Sequence, residues 1–196
     1  MKKYRCIIFF SIMAGLLGCS AAGVVYTSDP YKKLNNAYAL MNQGRPIPAE
    51  RSAKEALASY AESNNKAGVA ESHIFFGQLY KHKSYELFDT SARQINEESS
   101  RDKSIYHSQK AVDIYTDLGN YTQAAKAKFA LANGYVKKDK ATACRLYDES
   151  VMDFTKGKRL NTTEGFKFNP KFKSFESMVA SFKQKFCSNK ENSSPL

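Results

Sequence analysis

The 196-residue chain has no tryptophan, only 10 glycines and 5 prolines, and four cysteines. It lacks the motifs that mark common catalytic sites. There is no Gly-x-Ser-x-Gly elbow, no His-Glu-x-x-His, no Gly-rich phosphate loop and no Cys-x-x-Cys. Nucleophilic hydrolysis, zinc-dependent proteolysis, nucleotide chemistry and dithiol redox therefore lose their usual sequence signatures. His73, His82 and His107 do not have the mutual spacing of a metal site. The expected role is non-enzymatic, with no cofactor and no small-molecule substrate. No apolar run reaches the roughly 20 residues needed to span a bilayer; the run Cys6–Leu17 falls short.

What is present is ordinary for one globular domain: 42% hydrophobic and 25% charged residues, with 12 Tyr and 13 Phe. The informative stretch is Ala56–Tyr80, which recurs without a gap at Ala111–Tyr135. The two share Ala56/Ala111, Tyr60/Tyr115, Asn65/Asn120, Ala70/Ala125 and Tyr80/Tyr135, with conservative pairs such as Ile74/Phe129 and Gly77/Ala132 between. Small residues and aromatics returning at helical spacing predict stacked helix pairs, each unable to bury its apolar face alone.

The first eighteen residues read as a leader. Lys2, Lys3 and Arg5 form a positive start, and Leu16-Leu17-Gly18-Cys19 ends the apolar run. This resembles the lipobox of bacterial lipoproteins. The resemblance implies cleavage before Cys19, lipidation of that cysteine, and a body facing the periplasm. Ser20 after the cysteine, instead of Asp, implies the outer membrane. Residues 19–29 then form a lipidated tether whose ten residues from Ser20 to Asp29 reach at most about 33 Å. Lipid chains contribute roughly 0.8 kcal/mol per buried CH₂, which holds such a body beside the membrane. Loss of the leader removes three basic residues and no acidic one, taking the net charge from +11 to +8. Lys156–Leu196 carries nine Lys or Arg against three acids. In a periplasmic setting nucleic acid is not the expected partner; anionic head groups, an acidic protein, or solvent alone remain open. Cys144 and Cys187 are the two cysteines left. In an oxidising compartment an even pair points to one disulfide, the alternative being two buried thiols.

Along the mature chain, Asp29-Pro30 predicts an N-cap and first helical position, with a helix over Tyr31–Asn42 closed by Gly44 and Pro46. Ile47–Ser63 and Lys66–His82 follow, separated by Asn64-Asn65. Lys81–Ser100 reads as an insertion, with a helix extension or short helix over Tyr85–Ile95 and then a polar loop. Gly157–Phe168 reads as irregular. Asn169-Pro170 predicts the start of a last helix, whose Phe172, Phe175, Val179, Phe182 and Phe186 recur every three or four residues. A terminal helix of that kind caps a repeat array. Residues 189–196 read as a polar, disordered tail.

Within this pattern His73, Phe76, Gly77 and Tyr80 resemble the first-helix signature of tetratricopeptide repeats, and Lys128, Leu131, Ala132 and Tyr135 fit it more loosely. The second-helix signature of small residues seven apart occurs at Ala49/Ala56, Ser104/Ala111 and Ala143/Ser150. The resemblance implies an all-α superhelix of about seven helices, with repeats over 30–156 and a basic loop and capping helix over 157–188. The spacing departs from the family: its units are about 34 residues long, whereas these copies lie 55 apart. Carried over by position, the family's concave partner-binding surface falls on Tyr31, Leu34, Tyr38, Met41 and Asn42 in the first unit. In the second it falls on Glu71, Ile74, Gln78, Lys81 and His82, and in the third on Lys126, Phe129, Asn133, Val136 and Lys137.

Two roles follow, both of them protein binding. The stretches Val25–Pro30 and Leu40–Arg45 are similar to lipoproteins encoded beside type VI secretion phospholipase effectors. That similarity implies an immunity protein that blocks an acidic lipase reaching the periplasm. The alternative is a scaffold or pilot lipoprotein for a secretion, pilus or envelope complex.

Overall fold

The computed structural model describes residues 27–92 and 100–188. The leader, Cys19, most of the tether, the end of the insertion loop and the tail after Ser188 lie outside the described residues. The described chain is all-α: α1 (Pro30–Asn42), α2 (Pro46–Glu62), α3 (Lys66–Leu79), α4 (Lys83–Ala92), α5 (Ser100–Asp117), α6 (Tyr121–Tyr135), α7 (Lys140–Arg159) and α8 (Phe175–Cys187). Consecutive helices pack as α1–α2, α3–α5 and α6–α7 pairs, with α8 on α7. The first helices α1, α3 and α6 also touch in succession, as stacked pairs require. The short α4 lies between the two helices of the second pair in the chain, and the described residues form eight helices, α8 being the expected C-terminal cap.

The helix ends show why the sequence repeat is a structural repeat. Asp29 Oδ1 accepts from Tyr31 N at 2.9 Å, with Pro30 at the first helical position. At the end of α2, Asn65 N donates to Tyr60 O at 2.8 Å and Asn64 sits at φ 55°. At the end of α5, Asn120 N donates to Tyr115 O at 2.9 Å and Gly119 sits at φ 67°. Each is a Schellman closure, in which a left-handed residue turns the chain and satisfies the last carbonyls. The next residue of each copy then caps the following helix: Asn65 Oδ1 accepts from Gly68 N and Asn120 Oδ1 from Gln123 N. One repeated Tyr-to-Asn segment thus ends one helix and starts the next.

Two apolar clusters share α3. Phe75, Phe76, Leu79 and Tyr80 pack with α1, α2 and Tyr85. Ala70 and Ile74, on another face, join α5, α6, α7 and α8. α3 and α5 come close at Gly77, where an added Cβ would fall on Ser108 Oγ of α5, and Ser104 Oγ donates to the Gly77 carbonyl at 2.6 Å. The recurring alanines Ala56, Ala111, Ala70 and Ala125 are fully buried, which fits their role as close-packing positions.

Two expected boundaries move. α7 runs through Gly157 to Arg159, because Gly157 is the contact that lets Thr122 of α6 approach, not a helix stop. The last helix begins at Phe175, not after Asn169-Pro170. Asn169 instead forms a turn, accepting from Lys171 N at 3.0 Å, while Ser174 and Ser177 make a capping box. Phe175, Met178 and Val179 of α8 are buried in the second cluster. Cys144 and Cys187 form a disulfide, with Cα atoms 5.8 Å apart, that fastens the end of α8 to α7.

Candidate functional site

Glu71 of α3 is the point where polar side chains of three neighbouring helices meet. Its Oε1 accepts from Lys126 Nζ of α6 at 3.0 Å and, at a longer 3.4 Å, from the Tyr38 hydroxyl of α1. Its Oε2 accepts from the Tyr115 hydroxyl of α5 at 3.3 Å. Side chains from three helices therefore meet on one carboxylate of a fourth. Glu71 and Lys126 keep 31% and 25% of their side-chain surface, so the pair is reachable from solvent. Burial, and then the Glu71 charge, push the Tyr38 and Tyr115 hydroxyls well above the usual tyrosine range. Both phenols therefore remain neutral donors to the carboxylate. The Tyr38 ring also meets Phe75 edge-on at 4.8 Å.

The fifteen positions implied for the concave face divide into four groups. Tyr38, Glu71 and Lys126 are brought together. Lys81, Asn133, Val136 and Lys137 share a second concavity at the far ends of α3 and α6. Tyr31 and Asn42 are exposed on α1, while Gln78 and His82 are half-buried, His82 facing Ser84 Oγ at 2.8 Å. Leu34, Met41 and Ile74 are corrected: they are buried core residues and present no surface to a partner. Their apolar side chains fill the gap between packed helices, which a positional carry-over does not detect. Phe129 is largely structural too, with its ring 5.7 Å from Tyr147 and 5.0 Å from Phe182.

Sequence reasoning did not assign Tyr115 to the site, although its recurrence as Tyr60/Tyr115 is a signal that it is structurally fixed. It also missed the meeting of His73 and His107, whose Nδ1 atoms lie 2.7 Å apart. His107 is enclosed by Phe76, Tyr80 and Tyr106 rings. Burial, His73 and Lys54 lower the His107 pKa to about 4, and burial with Lys110 lowers that of His73. Among the described residues no group of three His, Cys, Asp or Glu side chains could hold a metal ion. No described helix is long and apolar enough to cross a membrane.

No family model, curated protein or solved structure matches this chain. Its own geometry is therefore the basis for any functional reading. That geometry centres on a partly exposed carboxylate met by side chains of α1, α5 and α6.

Proposed function

We propose that this chain is a protein-binding helical-repeat lipoprotein, anchored through Cys19 to the outer membrane and facing the periplasm, that blocks a phospholipase effector. The observation that carries the binding part is the Glu71 centre. Three helices present Tyr38, Tyr115 and Lys126 around one partly exposed carboxylate on a fourth. Such a surface can offer an incoming segment an aromatic wall and both charge signs, the chemistry that concentrates affinity at protein interfaces. The lipobox and the lipoprotein-like wording of 25–30 and 40–45 support the address and the class of target. An inhibitor held beside the bilayer stands where a lipase acts. The basic excess of the body favours an acidic enzyme through electrostatic steering.

The test asks whether a neighbouring gene encodes a phospholipase and adds the protein from Ser20 onward to that enzyme acting on phospholipid vesicles. Stoichiometric loss of hydrolysis is expected. Full hydrolysis in the presence of excess protein would overturn the inhibitor role. Stable binding to a secretin or pilus component in its place would establish the scaffold role.

A further inference from the structure

Past the C-terminal end of α3 lies a cavity of about 210 Å³. Lys81, Arg101 and Lys137 line it, with Glu86 as its one acidic member and Val136 and Phe186 as an apolar wall. Those residues come from the α3–α4 turn, the first turns of α4 and α5, the end of α6 and the end of α8. Lys81 is half-buried, whereas Arg101 and Lys137 are exposed. Among the described residues none of these three cations has an ion-pair partner; the neighbouring Asp102 is held by Lys138. Asn133 also lines the cavity, but its amide is spent. Its Nδ2 donates to Phe129 O and its Oδ1 accepts from the Tyr147 hydroxyl, both at 2.8 Å. The free donors are therefore two ammonium groups and one guanidinium.

Burial lowers the Lys81 pKa to about 8, with Lys137 acting in the same direction and Glu86 against it. A half-buried cation beside two others is costly when Glu86 is the one carboxylate lining the cavity, and an incoming anion would relieve that cost. The shape favours one type of anion. Arg101 offers a planar fork suited to a carboxylate, and Val136 with Phe186 suits a short methylene stem.

We infer that the cavity lined by Lys81, Arg101 and Lys137 is a receptor for a carboxylate on a short apolar stem, the side chain of a glutamate or aspartate supplied by a protein partner. The protein source rests on the binding role proposed above; the carboxylate chemistry does not. Lys81 and Glu86 lie in the Lys81–Ser100 segment that stretches the repeat spacing to 55 residues, and Arg101 follows it. The insertion thereby gains a purpose: it completes a pocket that the repeats alone leave open.

The probes are propionate, its neutral isostere propionamide, and inorganic phosphate, titrated into the protein from Ser20 onward. The readout is NMR of the lysine side chains near pH 7.5. Propionate should give saturable shifts at Lys81 and Lys137 and raise the midpoint of Lys81 titration. Arg101→Gln with Lys137→Gln, both at exposed positions, should weaken that binding at least about fivefold, as loss of two charge-assisted contacts implies. No saturable shift, or equal shifts with propionamide, would overturn the site. Tighter binding of phosphate than propionate would overturn the carboxylate assignment. The same double variant in the vesicle assay locates the source. Propionate binding with undiminished lipase inhibition would remove the partner's carboxylate from this pocket while leaving the inhibitor role intact. Propionate binding in a protein that never inhibits the lipase would leave the pocket standing without that role.

Discussion

Lys126 Nζ lies 3.0 Å from Glu71 Oε1, and the two residues occupy the same position of successive repeat copies, 55 residues apart. Equivalent sites in stacked units face each other along the groove, so a change of charge from one copy to the next becomes an ion pair. Because both partners are partly exposed, the pair itself contributes only about 0.5–1 kcal/mol.

Replacing Glu71 by Ala should cost more than the ion pair alone. The Tyr38 hydroxyl would lose its acceptor, and the Tyr115 hydroxyl would keep only the Ala67 carbonyl, at 3.3 Å. The expected loss is about 1–2 kcal/mol in urea unfolding, with Glu71→Gln closer to 0.5 kcal/mol because its carbonyl can still accept. Equal effects of the two substitutions would show that the hydroxyls find other partners.

Gly77→Ala should destabilise by about 1–3 kcal/mol, since the new methyl falls on Ser108 Oγ across the α3–α5 contact. Ser108 Oγ is buried and makes no hydrogen bond among the described residues. Ser108→Ala alone should therefore be neutral or stabilising, and in the Gly77→Ala background it should restore most of the loss. Thermal melts of the two single variants and the double variant form the cycle that checks this.

Opening the Cys144–Cys187 disulfide releases a constraint across a separation of 43 residues. The chain-entropy estimate puts its contribution at about 4 kcal/mol. Cys144→Ser with Cys187→Ser should lower the urea midpoint accordingly. Amide exchange should speed up most in α8, which is held by this bond and by one apolar face. Uniform acceleration across α1–α3 as well would contradict a local role.

The His73–His107 contact predicts acid sensitivity. Both histidines titrate below their usual value in the folded chain, so the unfolded chain binds more protons as the pH falls. The stability they give is present above pH about 6.5 and is lost as the pH drops toward the His107 value of about 4. A proton added to whichever Nδ1 accepts also breaks their mutual bond. His107→Phe with His73→Phe should flatten the fall in urea midpoint between pH 7 and 4.5 relative to wild type. An unchanged slope would assign the acid response to carboxylates elsewhere.

Much of the architecture was legible because it depends on local chemistry. Apolar periodicity marks the helices. Asn65 and Asn120 mark the turns, since a left-handed residue followed by a capping side chain is needed wherever one helix must give way to the next. The alanines at 56, 70, 111 and 125 mark close packing. Two boundaries were misplaced where the local signal is ambiguous. Gly157 serves an interhelical contact as well as it would a stop, and Asn169-Pro170 makes a turn where Ser174 makes the cap.

The site was legible only in part. Amphipathic spacing places Leu34, Met41 and Ile74 on the same side as Tyr38 and Glu71, and nothing local separates the buried rim of a helix from its groove face. That division is set by how far the neighbouring helix leans in, a property of the packed array. The sequence by itself determined the repeat Ala56–Tyr80 and Ala111–Tyr135, because helix ends and small-residue contacts act over a few residues. Only the tertiary structure decided that Glu71 gathers Tyr38, Tyr115 and Lys126. Only it brought Lys81, Arg101 and Lys137 to one cavity, because such meetings depend on the stacking angle of helices far apart in the chain.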